Sequence, residues 1–508
     1  MSGRSLPALL RTNVLQRPET QSVDTSILRP VNFNQSSAKF VFERKGILDS
    51  NSHLQMKLKV DDVGGAGAVA DKFYAYLPTS TGAPAWIRRA YLTIGGRRVS
   101  NLDEVGQYIT WTRLHYSNEY KKGVIIPKQG GNDVFVGSGS NQIAPVSATA
   151  INARGFAPPF GLLGREGTEF GYVESDTATG TAGTQNASAL PQLTKPSQQI
   201  KGDANLCPTF MVGLSQLIPF LRGVQLPLFS INQEVALNLE FTPDLEGERY
   251  MKVNEAPALG QLTTSFVEQD CLICADYLFY PDLMEGLADE IMNKGGYDIA
   301  YDEVLTQENT ITLSTATAPA TTSNTSLEFQ LAYGGKKVKS IVVQRQDVDG
   351  AGLLINLVGK YNSLGYRLGQ TQQLNIDSNN WYSMPLKNFS LQKAELDQVE
   401  DGLPTMMNDY RYCWKPNVND DGSNAVLGIT RRTLNGQGQI AECGTMNWSG
   451  VKLSNAFGQG KRVSNLPMLY SEKILVNSVD DGKQRRYRFF VKTQRVCNIS
   501  SGIVNVIE

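Results

Sequence analysis

Two histidines, a Cys-x-x-Cys pair, a glycine–lysine loop and a few paired carboxylates are the residues of this 508-residue chain whose types and spacing could do chemistry. A helical zinc site needs a second His four residues on, and neither His53 nor His115 has one. Cys271 and Cys274 have thiolate-ligand spacing, but no second pair or nearby His completes a zinc set. On a strand, with Cys271, Ile273 and Ala275 on one face, the two thiols would point to opposite sides. Gly458–Arg462 (GQGKR) fails as a phosphate loop, because Arg462 replaces the Ser/Thr and Asn455 the leading Gly. Asp420-Asp421 and Asp480-Asp481 lie among turn residues and read as solvated turns. A glycosidase needs two carboxylates that can be distant in sequence, so that chemistry stays open. The nucleophile elbow G-x-S-x-G is absent. N-x-[ST] sequons at Asn34, Asn186, Asn324, Asn388, Asn447 and Asn498 read as chance matches without a secretory signal. The expectation is a chain that is not an enzyme and has no cofactor and no metal.

Composition points the same way. Lys+Arg number 48 against 49 Asp+Glu, a net charge of -1, which lacks the cationic surplus a general grip on nucleic acid requires. Hydrophobic residues make up 41% and charged residues 19%, below the ~25% typical of soluble domains but ample for large cores. Six cysteines do not make a disulfide framework. The most apolar run, Leu214–Ile231, is interrupted by Pro219, Arg222, Gly223 and Pro227, and is no membrane span. The apolar patch Leu6–Leu10 is too short for a signal peptide, so a soluble intracellular product is expected. Residues 1–35 carry Arg4, Arg11, Arg17 and Arg29 and no acid before Glu19. They read either as a disordered tail or as an arm that orders against a neighbouring subunit.

The elements are strands. Leu54, Met56, Leu58 and Val60 alternate with Gln55, Lys57 and Lys59; Phe40 and Phe42 alternate likewise, as do Val235, Leu237, Leu239 and Phe241 around Asn238 and Glu240. Tyr91–Ser100 (YLTIGGRRVS) predicts a tight hairpin on Gly95-Gly96, and Leu331–Ser340 (LAYGGKKVKS) repeats the arrangement. Further strands are expected over Ser340–Gln344, Ile474–Val476, Tyr487–Thr493 and Gly502–Ile507. Two helices are predicted: Asp103–Tyr116, with Asn101 or Asp103 as N-cap, and Asp282–Lys294, stopping at Gly295-Gly296. Asp61–Ala70, Glu174–Leu190 and Ser314–Ser326 are rich in small residues and read as long loops.

Four segments, in order, resemble one family. Phe40–Leu58 (FVFERKGILDSNSHLQMKL) is similar to its virophage-type opening. Ile94–Leu114 (IGGRRVSNLDEVGQYITWTRL) resembles its I-G-G hairpin followed by an aromatic helix. Leu217–Phe241 (LIPFLRGVQLPLFSINQEVALNLEF) resembles its I-P-F and L-P-L segments before an alternating strand. Ala275–Leu305 resembles the strand and helix that lead into a second domain. The family is the double jelly-roll major capsid proteins of icosahedral double-stranded DNA viruses, of the large eukaryotic virus, virophage and polinton-like type. Residues 350–460 carry none of its motifs.

The resemblance implies an all-β chain of two tandem eight-stranded jelly-roll sandwiches with long loops and a few short helices. The expected division is an N-terminal arm at 1–35, a first jelly roll at 36–280, a helical connector at 281–304 and a second jelly roll at 305–508. It implies a major capsid protein of the virion, assembled inside the host cell. Its homotrimers would form pseudo-hexagonal capsomers that tile an icosahedral shell. The implied partners are further copies of the chain, minor capsid and penton proteins, and an inner membrane or membrane-associated proteins, with no sequence-specific nucleic-acid binding. Closed three-fold symmetry needs one face of a protomer against a different face of the next. Candidate anchors are Trp86 and Arg88 of Pro84–Arg89 (PAWIRR) and the Trp381-Tyr382 pair, since aromatics and Arg enrich at interface cores. Arg4 and Arg11 are candidates in the arm. The competing reading is a carbohydrate-binding or carbohydrate-active β-sandwich.

Overall fold

The structure, a computed structural model, describes residues 22–62, 75–76, 83–114, 209–222, 224–243, 252–253, 262–293, 295–314, 322–348, 371–386, 432–434, 437–439, 448–455, 459–464, 466–477, 482 and 484–507. Among the described residues, thirteen strands precede the mid-chain helix: β1 (Ser22–Leu28), β2 (Asn32–Asn34), β3 (Ser37–Val41), β4 (Ile47–Leu48), β5 (His53–Asp62), β6 (Ala75–Tyr76), β7 (Ile87–Ile94), β8 (Arg97–Asp103), β9 (Thr209–Gly213), β10 (Val235–Phe241), β11 (Lys252–Val253), β12 (Leu262–Phe266) and β13 (Leu272–Phe279). Twelve come after it: β14 (Tyr297–Thr312), β15 (Thr322–Leu331), β16 (Lys337–Val348), β17 (Thr371–Ile376), β18 (Asn379–Asn380), β19 (Arg432–Leu434), β20 (Gln437–Gln439), β21 (Trp448–Lys452), β22 (Lys461–Arg462), β23 (Met468–Asn477), β24 (Gln484–Ser500) and β25 (Ile503–Ile507). The longer helices are α1 (Val105–Leu114) and α2 (Pro281–Asn293).

Apart from the two-stranded sheets β6-β11 and β19-β20, these strands form two sandwiches. In the first, the sheet β1-β13-β5-β12, with β9 on β5 and β4 on β13, faces the sheet β2-β3-β10-β7-β8. In the second, β14-β24-β16-β21, with β25 on β24 and β22 on β16, faces β15-β23-β17-β18. The alternation of the sequence is the cause. Leu54, Met56, Ile273, Ala275 and Tyr277 from one sheet meet Phe40, Leu92, Leu237 and Leu239 from the other in one buried cluster. Ile341, Val343, Tyr487, Phe489 and Val491 meet Phe329, Leu374 and Tyr470 in the second. Phe329 stacks on Tyr487 with ring centroids 4.6 Å apart. In the first sandwich the opening strand β1 pairs with the closing β13, in the second β14 pairs with β24, and the chain crosses repeatedly between sheets, which is jelly-roll connectivity.

Besides β15 beginning at Thr322, inside the expected Ser314–Ser326 loop, the structure departs from the sequence reading at four places that shape the architecture. First, Ser22–Leu28, inside the stretch expected as an arm, pairs residue for residue with β13, and Leu28 is buried. Only residues 1–21 of that stretch lie outside the described residues. Second, β14 starts at Tyr297, inside the expected connector, because Tyr297, Ile299, Tyr301 and Val304 are core residues.

Third, the two glycine pairs are not equivalent. Gly95 and Gly96 take positive φ (58° and 76°) and close the β7–β8 hairpin, as expected. Gly334-Gly335 instead carries the chain between sheets: β15 pairs with β23, and β16 with β24. The hairpin matching β7–β8 in the second sandwich is β17–β18, turned on Asp377 and Ser378 at φ 53° and 65°. Fourth, neither Asn101 nor Asp103 caps α1. Both belong to β8, where the Asp103 carboxylate binds Arg89 and Asn101.

Candidate interface: the junction between the two sandwiches

The middle of β24 and of β16 is buried on both faces, and the sequence there shows why. In Tyr487-Arg488-Phe489-Phe490-Val491, the odd residues enter the second core, leaving Arg488 and Phe490 on the other side. In β16, Ile341 and Val343 point into that core while Val342 and Gln344 point away. An exposed sheet face would put these residues in water. Here the end of β8, the turn after it and α1 cover them. Tyr108 packs on Phe490 with ring centroids 5.7 Å apart, and the Tyr301 hydroxyl donates to the Val99 carbonyl at 2.9 Å.

A polar network threads this contact. Arg488, 1% exposed, donates from Nη1 to Gln346 Oε1 at 3.1 Å and to Gln344 Oε1 at 3.3 Å. Its Nη2 lies 2.8 Å from Glu308 Oε2 and 3.4 Å from Glu104 Oε2. Gln344 donates onward to Gln107 of α1. Glu104 holds φ 56°, an uncommon value for a residue with a side chain, immediately ahead of α1. Burial alone would raise the Glu308 pKa, but the Arg488 and Arg486 guanidiniums outweigh it and hold the carboxyl below its ordinary value. The chemistry this arrangement supplies is adhesion: a desolvated charge reaching across from one sandwich to the other, with its hydrogen bonds met by fixed partners.

A second buried ion pair lies inside the second sandwich. Arg345 and Glu472 are both fully buried, with Arg345 Nε 3.1 Å from each carboxylate oxygen, and Arg345 Nη2 also donates to the Ser449 and Tyr470 hydroxyls.

The candidate residues separate. Trp86 is 1% exposed within the first core, in the short turn Ala83–Trp86 ahead of β7, so it packs that core and is no surface anchor. Arg88, the next outward residue, is half exposed, with Nε 3.9 Å from Glu104 Oε1, so it joins the junction of its own chain. Trp381 is 37% exposed just after β18, and Tyr382 is half-buried against the second core. Arg4 and Arg11 lie outside the described residues.

The remaining candidates do not form a site. Cys271 is buried and its thiol is pushed up to about 12 by desolvation, whereas Cys274 lies on the opposite face, across from His53 on β5. Among the described residues no group of three or more His, Cys, Asp or Glu could hold a metal ion, and no helix is long and apolar enough to cross a membrane. Sequence reasoning missed Arg488, Glu104, Gln107, Gln344 and Glu308. The available signal was an Arg inside the aromatic strand YRFFV and the Gln344-Arg345-Gln346 run continuing an apolar one, both marking a strand with two buried faces.

No family model matches the chain, and no curated protein is significantly similar to it in sequence. Among the solved structures similar along nearly its whole length are two of viral capsid proteins. VP54 of PBCV-1, as fitted into a reconstruction of the virophage Sputnik, is 11% identical with a TM-score of 0.51, covering 97% of this chain and 98% of that one. The quasi-atomic model of the PBCV-1 virus capsid is 12% identical with a TM-score of 0.50, at the same coverage. At such low identity the likeness concerns the fold. With 97% of its length matched, the chain has the fold of these capsid structures: two jelly rolls in tandem.

Proposed function

We propose that this chain is a major capsid protein, a structural subunit whose trimers form pseudo-hexagonal capsomers of an icosahedral virion shell. The observation that carries the reading is the buried junction between two jelly rolls of the same connectivity. It fixes two similar lobes side by side, so that three copies in a ring present six. The first lobe is proposed to end at β13 and the second to begin at β14, with α2 connecting them. The near-neutral charge supports a subunit that packs against its own copies without mutual repulsion. The subunit acts by association, not catalysis. Its partners are further copies, minor capsid and penton proteins, and membrane-associated components beneath the shell. Residues 1–21, with Arg4 and Arg11, are proposed to contribute between capsomers, so removing residues 1–20 should leave the trimer intact and weaken assembly. No observation favours the carbohydrate reading.

The first test is the absolute solution mass by light scattering. Three copies of the 55.7 kDa chain, about 167 kDa, that persist on dilution are expected. A monomer under the same conditions would overturn the capsomer and turn attention to glycan binding.

A further inference from the structure

Two sequence features that the junction does not use meet in the second sandwich. Gly458–Arg462 (GQGKR) fails as a nucleotide loop and Gly334-Gly335 is no hairpin, yet each run leads into basic residues, and the fold laces them together. The Gly335 amide donates to the Val463 and Ser464 carbonyls at 3.1 and 2.9 Å, and the Val463 amide donates back to the Lys336 carbonyl at 3.0 Å. β22 then pairs with the start of β16, setting Arg462 opposite Lys337 and Lys461 opposite Val338. Gly460 permits this approach, since a Cβ there would lie 2.9 Å from the Val338 carbonyl oxygen.

Residues directly opposite on antiparallel strands share a face, and like charges so placed repel. Lys337 is half-buried and Arg462 exposed. Among the described residues, neither these two nor Lys461 enters an ion pair. The row continues across the sheet from Lys337 to Gln494 and Asp302. That carboxylate is already divided between Lys339, with Nζ 2.6 Å from Oδ1, and Lys492, with Nζ 3.8 Å from Oδ2. Charge on a short edge strand guards against aggregation, which accounts for β22 but not for Lys337 on the strand inside it. A row held this positive is complementary to an anion.

The surroundings select the kind of anion. None of the exposed large apolar side chains lies on β14, β16, β22 or β24, and every aromatic on these strands is buried. The row therefore offers no apolar anchor to a protein, no wedge to a lipid surface and no platform for unstacked bases. Duplex phosphates need only cations. Position agrees. β5, β8 and β16 run to one end of the strands, where residues 63–86, 104–208 and 349–370 lead on to the next strand of each sandwich. The opposite end is closed by tight turns at Gly95-Gly96, Asp377-Ser378 and Ser501-Gly502, and Lys337, which opens β16, lies toward it.

We infer that Lys337 and Arg462, with Lys461 beside them, bind the phosphate backbone of duplex DNA without regard to sequence. This rests on the capsomer reading, which turns the end with long connections outward and the plain end toward the packaged genome. The chain as a whole is near neutral, so contact is confined to this row. Each copy holds weakly, and the copies of a shell add.

The test measures binding of the full chain to a labelled DNA duplex by fluorescence polarisation, over a range of low salt concentrations. Wild type should bind duplexes of unrelated sequence alike, with affinity falling as salt rises. Lys337→Gln with Arg462→Gln should weaken every duplex equally and make the log–log salt slope shallower by about one per cation removed. Lys473→Gln, an exposed lysine on the opposite sheet, should change neither. Without DNA the double variant should unfold no lower than wild type, because its opposed charges are gone; should it fail to fold, Arg462→Gln alone should still make the slope shallower by about one. An unchanged slope, or binding to phosphatidylserine vesicles with none to the duplex, would overturn the inference. Light scattering on the same samples separates the two readings: a trimer that ignores the duplex overturns this site alone, whereas a monomer overturns the capsomer with it.

Discussion

Arg488 on β24 places its Nη2 3.4 Å from the Glu104 carboxylate, which belongs to the other sandwich, with Arg488 2% and Glu104 14% exposed at the side chain. A charge pair this dry, tied also to Gln344, Gln346 and Glu308, makes the two sandwiches interdependent. Arg488→Met removes one charge and strands the others. Losing a partner from a buried pair costs about 3–5 kcal/mol. The expected result in urea is a lower midpoint and a transition that separates into two, one for each sandwich. A single transition at the wild-type midpoint would show that the pair does not couple them.

The junction should also respond to acid. Glu308 is ionised more readily in the folded chain than in the unfolded one, so its contribution is complete above the ordinary carboxylate pKa, about 4.3. That contribution is lost as the pH falls through the depressed folded value. Glu308→Gln should therefore be less stable than wild type at neutral pH, with the difference shrinking on acidification. Urea midpoints against pH measure this, and a gap that widens toward acid would contradict it. Because the Glu308 side chain is 39% exposed, water screens the pair and the effect should be modest.

Arg345 and Glu472 have no such access to water. Glu472→Gln leaves the guanidinium without its counter-charge and should cost about 3–5 kcal/mol by chemical denaturation. Replacing both, as Arg345→Met with Glu472→Leu, removes the desolvation problem and should recover most of the loss. A double variant no better than the single would mean that shape at this site matters more than charge.

The two glycines after α2 should behave differently. Gly295 and Gly296 both hold positive φ (79° and 89°), and the Gly296 amide closes the helix by donating to the Glu290 carbonyl at 3.1 Å. A Cβ on Gly295 meets nothing within 4 Å, so Gly295→Ala should cost only the backbone penalty, about 1 kcal/mol. On Gly296 the Cβ would lie 2.2 Å from the Ile499 carbonyl oxygen, in backbone held by the β24–β25 hairpin. Gly296→Ala should exceed its neighbour by about 1–3 kcal/mol, read as a larger drop in Tm. Equal drops would remove the steric argument.

Where one face of a strand is core and the other is not, the sequence is transparent. Val235–Phe241 reads as a strand by alternation and is one. The failures have physical causes. β1 (SVDTSIL) buries only Leu28 fully, so nothing in its pattern signals a strand. The β17–β18 turn is hidden because Asp377 and Ser378 hold the conformation in which glycine is expected, with Asp377 anchored to Ser464. Gly334-Gly335 misleads for the converse reason: the same residue pair serves a crossing between sheets as well as a hairpin. The junction is least legible, because a buried Arg or Gln looks like a surface residue until its partner from a distant segment is known.

The pairing of β14 with β24 has a consequence for synthesis. All sixteen residues of β14 find their partners in β24, and 171 residues separate the two strands. At about 5–20 residues per second the ribosome needs roughly 10–30 s to deliver the partner. Through that interval a long strand carrying Tyr297, Ile299, Tyr301 and Val304 is without its partner strand, and the first sandwich waits for the same late segment to cover Tyr108. The nascent chain therefore passes through a stage with an open, sticky edge on each half. Slower growth or a holding chaperone during expression should raise the yield of soluble protein more than any change to the finished surface.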